Sequence, residues 1–504
     1  MYGAIVTAVG QAHVAPLALR PKSRRVTIMH HHRSELPPSA LLAKLRAVVG
    51  EGAVLTAADE LEPYVGEWRK LLRGHCEMVV KPRDTHEVAQ VLEICHHGRI
   101  PVTPQGGNTG MVGGGLPQGG IVLSLQRLDR IRQVDPDNAH ITVEAGCILA
   151  EIQNAAREAG LFFPLSLGSE GSCRIGGNLS TNAGGNTTVR FGNARDLVLG
   201  IEVVLPTGEV WDGLRALRKN NTGYDLKHLF IGAEGTLGVI TAATLKLFPG
   251  HARRDTVLAA LTDPFDVLKL FVRLRNELSE HIMAFETFPA LGMELTLKHI
   301  AGVRNPFTRV FPNYALVETY NQRDDETVRN ALNEILEGAI MDDVVKDAVV
   351  AQSEGQSNDL WRIRETIPEA QATEATALRH DVSVPVSRVP EFIVEGTRRV
   401  EEQLPGLRVL AFGHLGDGNI HFNLLPPASM SREAFINETK PLNRLVHDYA
   451  MSLDGSFSAE HGIGVVKRED MRRYRSAIEL RMMRQIKTAL DPGGIMNPGK
   501  VLPD

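Results

Sequence analysis

Apolar positions recur along the chain in two rhythms, and each rhythm predicts an element. Between Thr85 and Cys95, the side chains of Val88, Val91, Leu92 and Cys95 fall on one face at helical spacing, and Gly98 is placed to stop that helix. A second helix is predicted over Ile148–Ala159, stopped by Gly160. Short apolar runs around them have strand length: Ile100–Val102, Ile121–Leu125, Ile141–Ala145, Ile201–Leu205 before a turn at Pro206–Glu209, and a late strand near Ile240–Phe248. From Asp255 the order is strand Val257–Leu261, a helix from Pro264 with Asp263 as N-cap, strand His281–Thr287, strand Tyr314–Tyr320, helix Thr327–Leu336 and a strand near Val344–Val350. This β-α-β-β-α-β succession predicts a ferredoxin-like layer. Helical patterns follow at Leu360–Thr376 and Val389–Gln403, and a basic helix is predicted over Arg472–Leu490.

These patterns divide the chain into a flexible N-terminal extension (1–36), a glycine-rich unit (37–250), a second unit (251–408) and a polar C-terminal segment (409–504). The 504 residues correspond to about three folding units at roughly 150 residues each. Hydrophobic residues make up 43% and charged residues 23%, which points to a soluble globular protein and away from a disordered, collagen-like or membrane-bundle chain. The net charge of −5, from 55 basic and 60 acidic residues, gives no overall pull toward nucleic acid. A small anionic substrate needs only local cations. The cysteines Cys76, Cys95, Cys147 and Cys173 form no C-x-x-C pair and are too few for a disulfide framework, so a reducing, cytoplasmic setting is expected. No apolar run reaches the roughly 18 residues of a transmembrane helix. The stretch Gly3–Leu19 lacks a basic start and contains Gln11, His13 and Pro16, so a secretory signal is not expected, and Met29 is an alternative start.

Three glycine-rich loops break the first unit. The first is Pro104-Gln105-Gly106-Gly107-Asn108-Thr109-Gly110, followed by Gly113–Gly115. The second runs through Gly168–Ser172 and Ile175–Gly185, and the third is Gly232-Ala233-Glu234-Gly235-Thr236-Leu237-Gly238. Glycine lets backbone N–H groups turn toward one point and lets a phosphate approach closely. None of the loops is the G-x-G-x-x-G dinucleotide fingerprint or a Walker loop. Any one loop is explained by tight turns; three in one unit suit a large phosphate-bearing cofactor embedded in backbone.

The C-terminal segment holds His414-Leu415-Gly416-Asp417-Gly418-Asn419-Ile420-His421-Phe422-Asn423 and Glu460-His461-Gly462. Apolar runs at Val409–Phe412 and Ile420–Leu425 predict a hairpin with an Asp-Gly-Asn turn, able to place His414 and His421 side by side. His421 and Asn423 share a strand face by period two. Two imidazoles and one carboxylate make a zinc-like site with an open position, with Glu460 as third ligand and Asp417 as its rival. The bland alternative makes the two histidines hydrogen-bonding residues and Asp417 a turn residue.

The segments PQGGNTGMVGGG, GSCRIGGNLSTNAGG and LRKNNTGYDLKHLFIGAEGTLGVIT resemble the FAD-binding domain of the vanillyl-alcohol-oxidase/p-cresol-methylhydroxylase superfamily. The resemblance implies that Pro104, Gln105, Gly106, Gly107, Asn108, Thr109 and Gly110, with Ser172, Gly176, Gly177, Asn178, Asn182, Ala183 and Gly184, line FAD. Members with covalent flavin often carry a histidine in the first loop; this loop has none, so non-covalent FAD is expected. GHLGDGNIHFN with EHGIG is similar to the FAD-linked D-2-hydroxyacid dehydrogenases, and within them to the branch that oxidises D-2-hydroxyglutarate. That likeness implies His414, His421 and Glu460 as ligands of a divalent metal, usually zinc, with His461 as base and Asn423 as a substrate contact. It also implies that Arg364 and Arg379 bind substrate carboxylates. Arg379 stands where lysine is frequent, and Pro368 stands where a hydroxyl residue is usual, so preference among diacids is left open.

The fold expected is α+β: a two-part FAD-binding domain of the p-cresol-methylhydroxylase type, a ferredoxin-like substrate cap and a C-terminal metal and catalytic segment. The activity expected is metal-assisted oxidation of a D-2-hydroxy acid, D-2-hydroxyglutarate foremost, to the 2-oxo acid. D-lactate, D-malate and glycolate are alternative substrates. A non-catalytic flavin electron-transfer subunit is a rival, but it should lack the histidine and glutamate set. The family suggests an electron-transfer flavoprotein, a quinone or a cytochrome as electron acceptor, and often a homodimer. No nucleic-acid partner is expected, and no nicotinamide fingerprint appears.

Overall fold

The computed structural model describes residues 37–250 and 253–504. The expectations for residues 1–36, including the alternative start at Met29, lie outside the described residues. The first unit contains two larger sheets. In one, Val54–Leu55, Met78–Val80, Ile121–Ser124 and Val102–Gln105 lie side by side in that order. The last three run parallel and the first antiparallel. The other is antiparallel, in the order Ile131–Asp135, His140–Glu144, Val239–Lys246, Val198–Val204, Val210–Gly213. The helix Thr85–Gly98 buries Val88, Val91, Leu92 and Cys95, and its Asp84 N-cap carboxylate accepts the Glu87 N–H at 2.9 Å.

Two boundaries differ from the sequence expectation, each for a local reason. Gly98 stays inside its helix, and Arg99 takes the left-handed cap conformation at φ 50°. The strand expected at Ile100–Val102 is instead Val102–Gln105. The Ile100 amide is used on the Cys95 carbonyl at 2.8 Å, closing the helix, so pairing starts later and runs directly into the first glycine loop. The basic helix expected over Arg472–Leu490 is two helices, Arg468–Tyr474 and Ala477–Leu490. Ser476 and Glu479 form a capping box at the break: the Glu479 carboxylate accepts the Ser476 N–H at 2.9 Å, and the Ser476 hydroxyl accepts the Glu479 N–H at 3.3 Å.

The second unit is built on a seven-stranded antiparallel sheet. Its first four strands in space are Asp347–Val350, Arg253–Leu261, Asn313–Asn321 and Ile282–Pro289. In chain order they alternate with the helices Pro264–Leu278, Ala290–His299 and Thr327–Met341, so a helix stands where the expected β-α-β-β-α-β order has two consecutive strands. The sheet does not stop there. Arg408–His414, Asn419–Leu425 and Asp381–Ser383 extend it, so it runs straight across the boundary expected at 408/409. One face is covered by the helices Pro264–Leu278, Thr327–Met341, Val389–Gln403 and Arg432–Ser452. The other carries Phe288, Tyr314, Leu316, Leu410 and Phe412 under the helices Ala290–His299, Glu354–Glu365 and Ile367–Glu374. The chain end belongs to neither part of the expected division: Ile495 and Met496 enter the core of the first sheet, where Met496 bridges Val102.

No helix among the described residues is long and apolar enough to cross a membrane. His380, next to the edge strand, is buried with Nδ1 at 2.7 Å from the Phe422 carbonyl. Burial, helped by neighbouring His447, pushes its imidazole down to about 3. In the unfolded chain an imidazole titrates near about 6.5. As pH falls below that value the unfolded state takes up a proton that the folded state refuses. The stability this residue contributes is therefore present above about pH 6.5 and lost toward pH 3. Unfolding midpoints measured from pH 7 to 4 should fall, and His380→Gln should flatten the fall by up to about 1.4 kcal/mol per pH unit. An unchanged slope would remove His380 from the account.

Candidate active site

The hairpin Arg408–His414/Asn419–Leu425 sets the register of the site. His414 pairs with Asn419, Phe412 with His421 and Leu410 with Asn423, so these residues share one sheet face. His414 and His421 are diagonal neighbours rather than directly opposed, with ring centres 5.6 Å apart. A short helical turn, Leu415–Asp417, and Gly418 at φ 84° close the hairpin. The Asp417 carboxylate accepts the Asn419 N–H at 3.1 Å, as a turn residue does.

The segment bearing Glu460 and His461 lies against this face. Ligating atoms of Asp381, His421, Glu460 and His461 all lie within 4.8 Å of one another. Glu460 Oε1 is 3.6 Å from His421 Nε2 and 3.5 Å from His461 Nε2. The rings of His421 and His461 are nearly parallel, with centres 5.9 Å apart. His414 stands just outside the tightest group. Its Nδ1 is 2.6 Å from Glu286 Oε1, which leaves Nε2 as its available donor atom. Two imidazole nitrogens and a carboxylate in this arrangement fit a zinc-type ion.

Two buried carboxylates missing from the sequence expectation hold these rings. Glu286 Oε2 is 2.9 Å from Arg364 Nε and 2.7 Å from Arg364 Nη2, while Oε1 meets His414. Asp381 Oδ2 accepts the backbone N–H groups of Glu460 (3.1 Å) and His461 (2.9 Å), and it lies 3.4 Å from His461 Nδ1. Asp381 Oδ1 accepts from the Asn419 amide at 3.0 Å, and Lys467 Nζ is 3.7 Å from Oδ2. The charges respond to each other. Burial works to raise the Glu286 carboxyl, but His414 and Arg364 hold it at about 2. Burial likewise opposes the His414 imidazolium, yet Glu286 lifts it to about 9. Burial pushes His421 down to about 4. His461 is raised, because Asp381 and Glu460 outweigh its burial.

The two arginines differ. Arg364 is 6% exposed, paired with Glu286, and its guanidinium carbon sits 4.9 Å from the centre of the Phe412 ring. Arg379 is partly buried with no carboxylate partner among the described residues, and burial and the nearby Arg69 charge both lower its pKa. Asn423 Nδ2 donates to Gln371 Oε1 at 2.7 Å, while Asn423 Oδ1 and Gln371 Nε2 are buried without partners.

The glycine loops meet beside this cluster. A Cβ built on Gly107 would stand 2.4 Å from the Ser172 carbonyl, so the first two loops are pressed together at glycine, and one on Gly176 would stand 2.7 Å from Ala145 Cβ, just after the strand His140–Glu144. Gly110 and Gly177 face open space, and Asn178 Oδ1, next to Gly177 in sequence, is buried without a partner among the described residues, a cradle that a cofactor fits. Gln105 and Asn108 use their side-chain amides internally: Gln105 Nε2 donates to the Gly115 and Tyr64 carbonyls (2.8 and 2.9 Å), and Asn108 Nδ2 to the Gly66 carbonyl (2.8 Å). Asn182 Oδ1 accepts the Arg195 N–H at 2.9 Å. Of the remaining expected residues, Ala183 is buried, while Pro104, Gly106 and Thr109 are partly buried along the first loop. A Cβ on Gly184 would lie 3.6 Å from Glu460 Oε2, so the second loop abuts the carboxylate and imidazole cluster.

Comparison with known proteins agrees with this geometry. Residues 76–213 match the family described as FAD binding domain, and residues 251–501 the family described as FAD linked oxidases, C-terminal domain. A rice protein (Oryza sativa subsp. japonica) named probable D-2-hydroxyglutarate dehydrogenase, mitochondrial, is 37% identical over 460 residues, covering 91% of this chain and 81% of the relative. D-2-hydroxyglutarate dehydrogenase of Xanthomonas citri pv. viticola is 39% identical over 448 residues, covering 88% of this chain and 93% of the relative. The fold is that of p-cresol methylhydroxylase with substrate bound: TM-score 0.72 at 16% identity, covering 92% of this chain and 96% of the other.

The loop geometry gives a direct test. Gly107→Ala should lower FAD content about tenfold or more, read as the ratio of flavin to protein absorbance after purification, because its methyl group collides with the Ser172 carbonyl. Full flavin content in that variant would show that the two loops are not closed on the cofactor.

Proposed function

This chain belongs to the family of FAD-linked D-2-hydroxyacid dehydrogenases and is an FAD-dependent oxidoreductase, and from that premise we propose that it oxidises D-2-hydroxyglutarate to its 2-oxo acid. The observation that carries the reading is the convergence of His421, Glu460 and His461 beside the second glycine loop, with Arg379 lacking a carboxylate partner among the described residues. The names of the rice and Xanthomonas relatives support the substrate.

In this reading His414, His421 and Glu460 hold a divalent metal. When bound, the metal supplies Lewis-acid polarisation of the substrate α-hydroxyl. FAD, when bound, supplies the acceptor for the Cα hydrogen and its two electrons. His461 takes the hydroxyl proton at Nε2 while Asp381 holds the ring from the Nδ1 side. Arg379 binds the distal carboxylate of the diacid, and Arg364, already tied to Glu286, lies behind His414. Asn423 contacts substrate from the same strand face as His421. FAD is held non-covalently, since the first loop offers neither histidine nor cysteine. The electrons then leave for a separate acceptor, an electron-transfer flavoprotein, a quinone or a cytochrome.

An anaerobic visible spectrum titrated with D-2-hydroxyglutarate should show bleaching of the oxidised flavin bands, lost on chelation and restored by zinc. Bleaching with D-lactate or D-malate alone would move the substrate, and bleaching indifferent to chelation would remove the metal from the reaction. Arg379→Ala should raise KM for D-2-hydroxyglutarate by roughly 10- to 100-fold and change that for D-lactate little, as expected for loss of a charged hydrogen bond to one carboxylate. An equal effect on both acids would mean that Arg379 does not read the distal group.

A further inference from the structure

The third glycine loop has no role in the account so far, yet it carries an acid that reaches the catalytic segment. Glu234 is a non-glycine residue at φ 52°, between Gly232 at 84° and Gly235 at 71°. Its side chain is buried, and both carboxylate oxygens are engaged: Oε1 accepts the Ile463 N–H at 2.7 Å and Oε2 the Gly464 N–H at 2.8 Å. These amides belong to the turn immediately after His461. The turn is shaped to the acid: Gly462 and Gly464 have φ of 78° and 50°, and a Cβ on Gly462 would stand 2.8 Å from Glu234 Oε1. The backbone of Glu234 is anchored on the opposite side. Its N–H donates to the Ser180 carbonyl in the second loop at 2.8 Å. Its carbonyl accepts from the Asn497 amide at 2.7 Å, and that amide also donates to the Gly114 carbonyl beside the first loop at 2.9 Å. Burial pushes the Glu234 carboxyl upward, against the pull of the two amides and of the Lys467 and Lys500 charges.

Glu234, through its carboxylate, its backbone and the Asn497 amide, therefore joins the three glycine loops to the segment bearing Glu460 and His461. We propose that Glu234 is a positioning residue that fixes the His461 turn relative to the flavin-binding loops and so sets the distance between base and flavin. The proposal rests on the reading of His461 as the base. A left-handed acid, a turn with no room for a Cβ and two charge-assisted amide bonds form a rigid link. An ångström of slack between reacting groups slows a reaction without weakening binding to the same degree.

The test compares FAD-loaded wild type, Glu234→Gln, Glu234→Asp and His461→Ala. In Glu234→Gln one oxygen becomes an NH2 group that cannot accept an amide hydrogen. Two readouts are expected to change: faster hydrogen–deuterium exchange confined to the peptide covering 462–465, and a fall of roughly 10- to 100-fold in the anaerobic rate of flavin reduction by D-2-hydroxyglutarate, with the substrate dissociation constant nearly unchanged. Glu234→Asp, which keeps both acceptor oxygens, should recover part of the rate. Wild-type exchange at 462–465 in Glu234→Gln overturns the proposal whatever the substrate. So does wild-type flavin reduction there while His461→Ala is slow, or loss of rate only in proportion to lost FAD or melting temperature. If His461→Ala reduces flavin at the wild-type rate, the reading of the base fails instead, and the exchange result still decides whether Glu234 holds the turn.

Discussion

A carboxylate buried at Asp381 is the constraint around which the site is arranged. Taking such an ion out of water costs several kcal/mol, and the folded state recovers this only when geometry satisfies every lone pair. Here the partners are the amides of Glu460 and His461, the side chain of Asn419, the His461 ring and Lys467. Three of these contacts come from two adjacent residues of one loop. The charge and the loop are thus mutually dependent: the acid cannot be buried unless Glu460 and His461 are in place. Removing one partner of such a buried pair typically costs about 3–5 kcal/mol, a large share of a total stability of about 5–15 kcal/mol. Glu286 repeats the device on the far side of the hairpin, three strands away in the sheet, dividing its two oxygens between His414 and Arg364.

The rest of the architecture brings two surfaces, built on different sheets, to that point. One face of the seven-stranded sheet is predominantly apolar and covered by four helices. On the other face three helices cover only part of the area, and where they end the strands present Glu286, His414, His421 and Asn423 in place of apolar side chains. The glycine loops of the first unit close over this polar patch. A Cβ at Gly462 is excluded by Glu234 of the third loop, and one at Gly184 would be in van der Waals contact with Glu460. The candidate site lies at a seam between two sheets, where small residues and hydrogen-bonded acids make close contacts.

Much of this was legible in the sequence, for reasons that particular residues make plain. Periodicity found the helix at Thr85 and the hairpin around Gly418, because in both the apolar residues alternate at the spacing of the element they form. It misplaced the first glycine-loop strand because the fate of the Ile100 amide depends on Cys95, a contact invisible to spacing. It ran two C-terminal helices together because the Ser476–Glu479 capping box sits within a run of otherwise uniform helical character. Asp381 stands two residues after Arg379, where no spacing in the sequence distinguishes a buried acid from an exposed one. Glu286 was passed over, although a single acid inside Ala284-Phe285-Glu286-Thr287-Phe288 is a charge with nowhere to go but a buried partner. That signal is not specific by itself: Glu318 lies in a similar apolar strand and pairs with the Trp361 indole at 2.8 Å, away from the histidines.

The return of the chain end to the first sheet has a consequence for how the protein is made. Ile495 and Met496 lie in the core with the strand beginning at Val102, and the Asn497 amide binds the carbonyls of Gly114 and Glu234. The glycine-rich unit therefore lacks part of its own core until residues 495–497 have been synthesised. At synthesis rates of about 5–20 residues per second, nearly 400 residues must emerge after the first loop before its last contacts form, a delay on the order of 20–80 s. During that interval the early unit is an incomplete domain with exposed apolar surface, the kind of intermediate that chaperones engage.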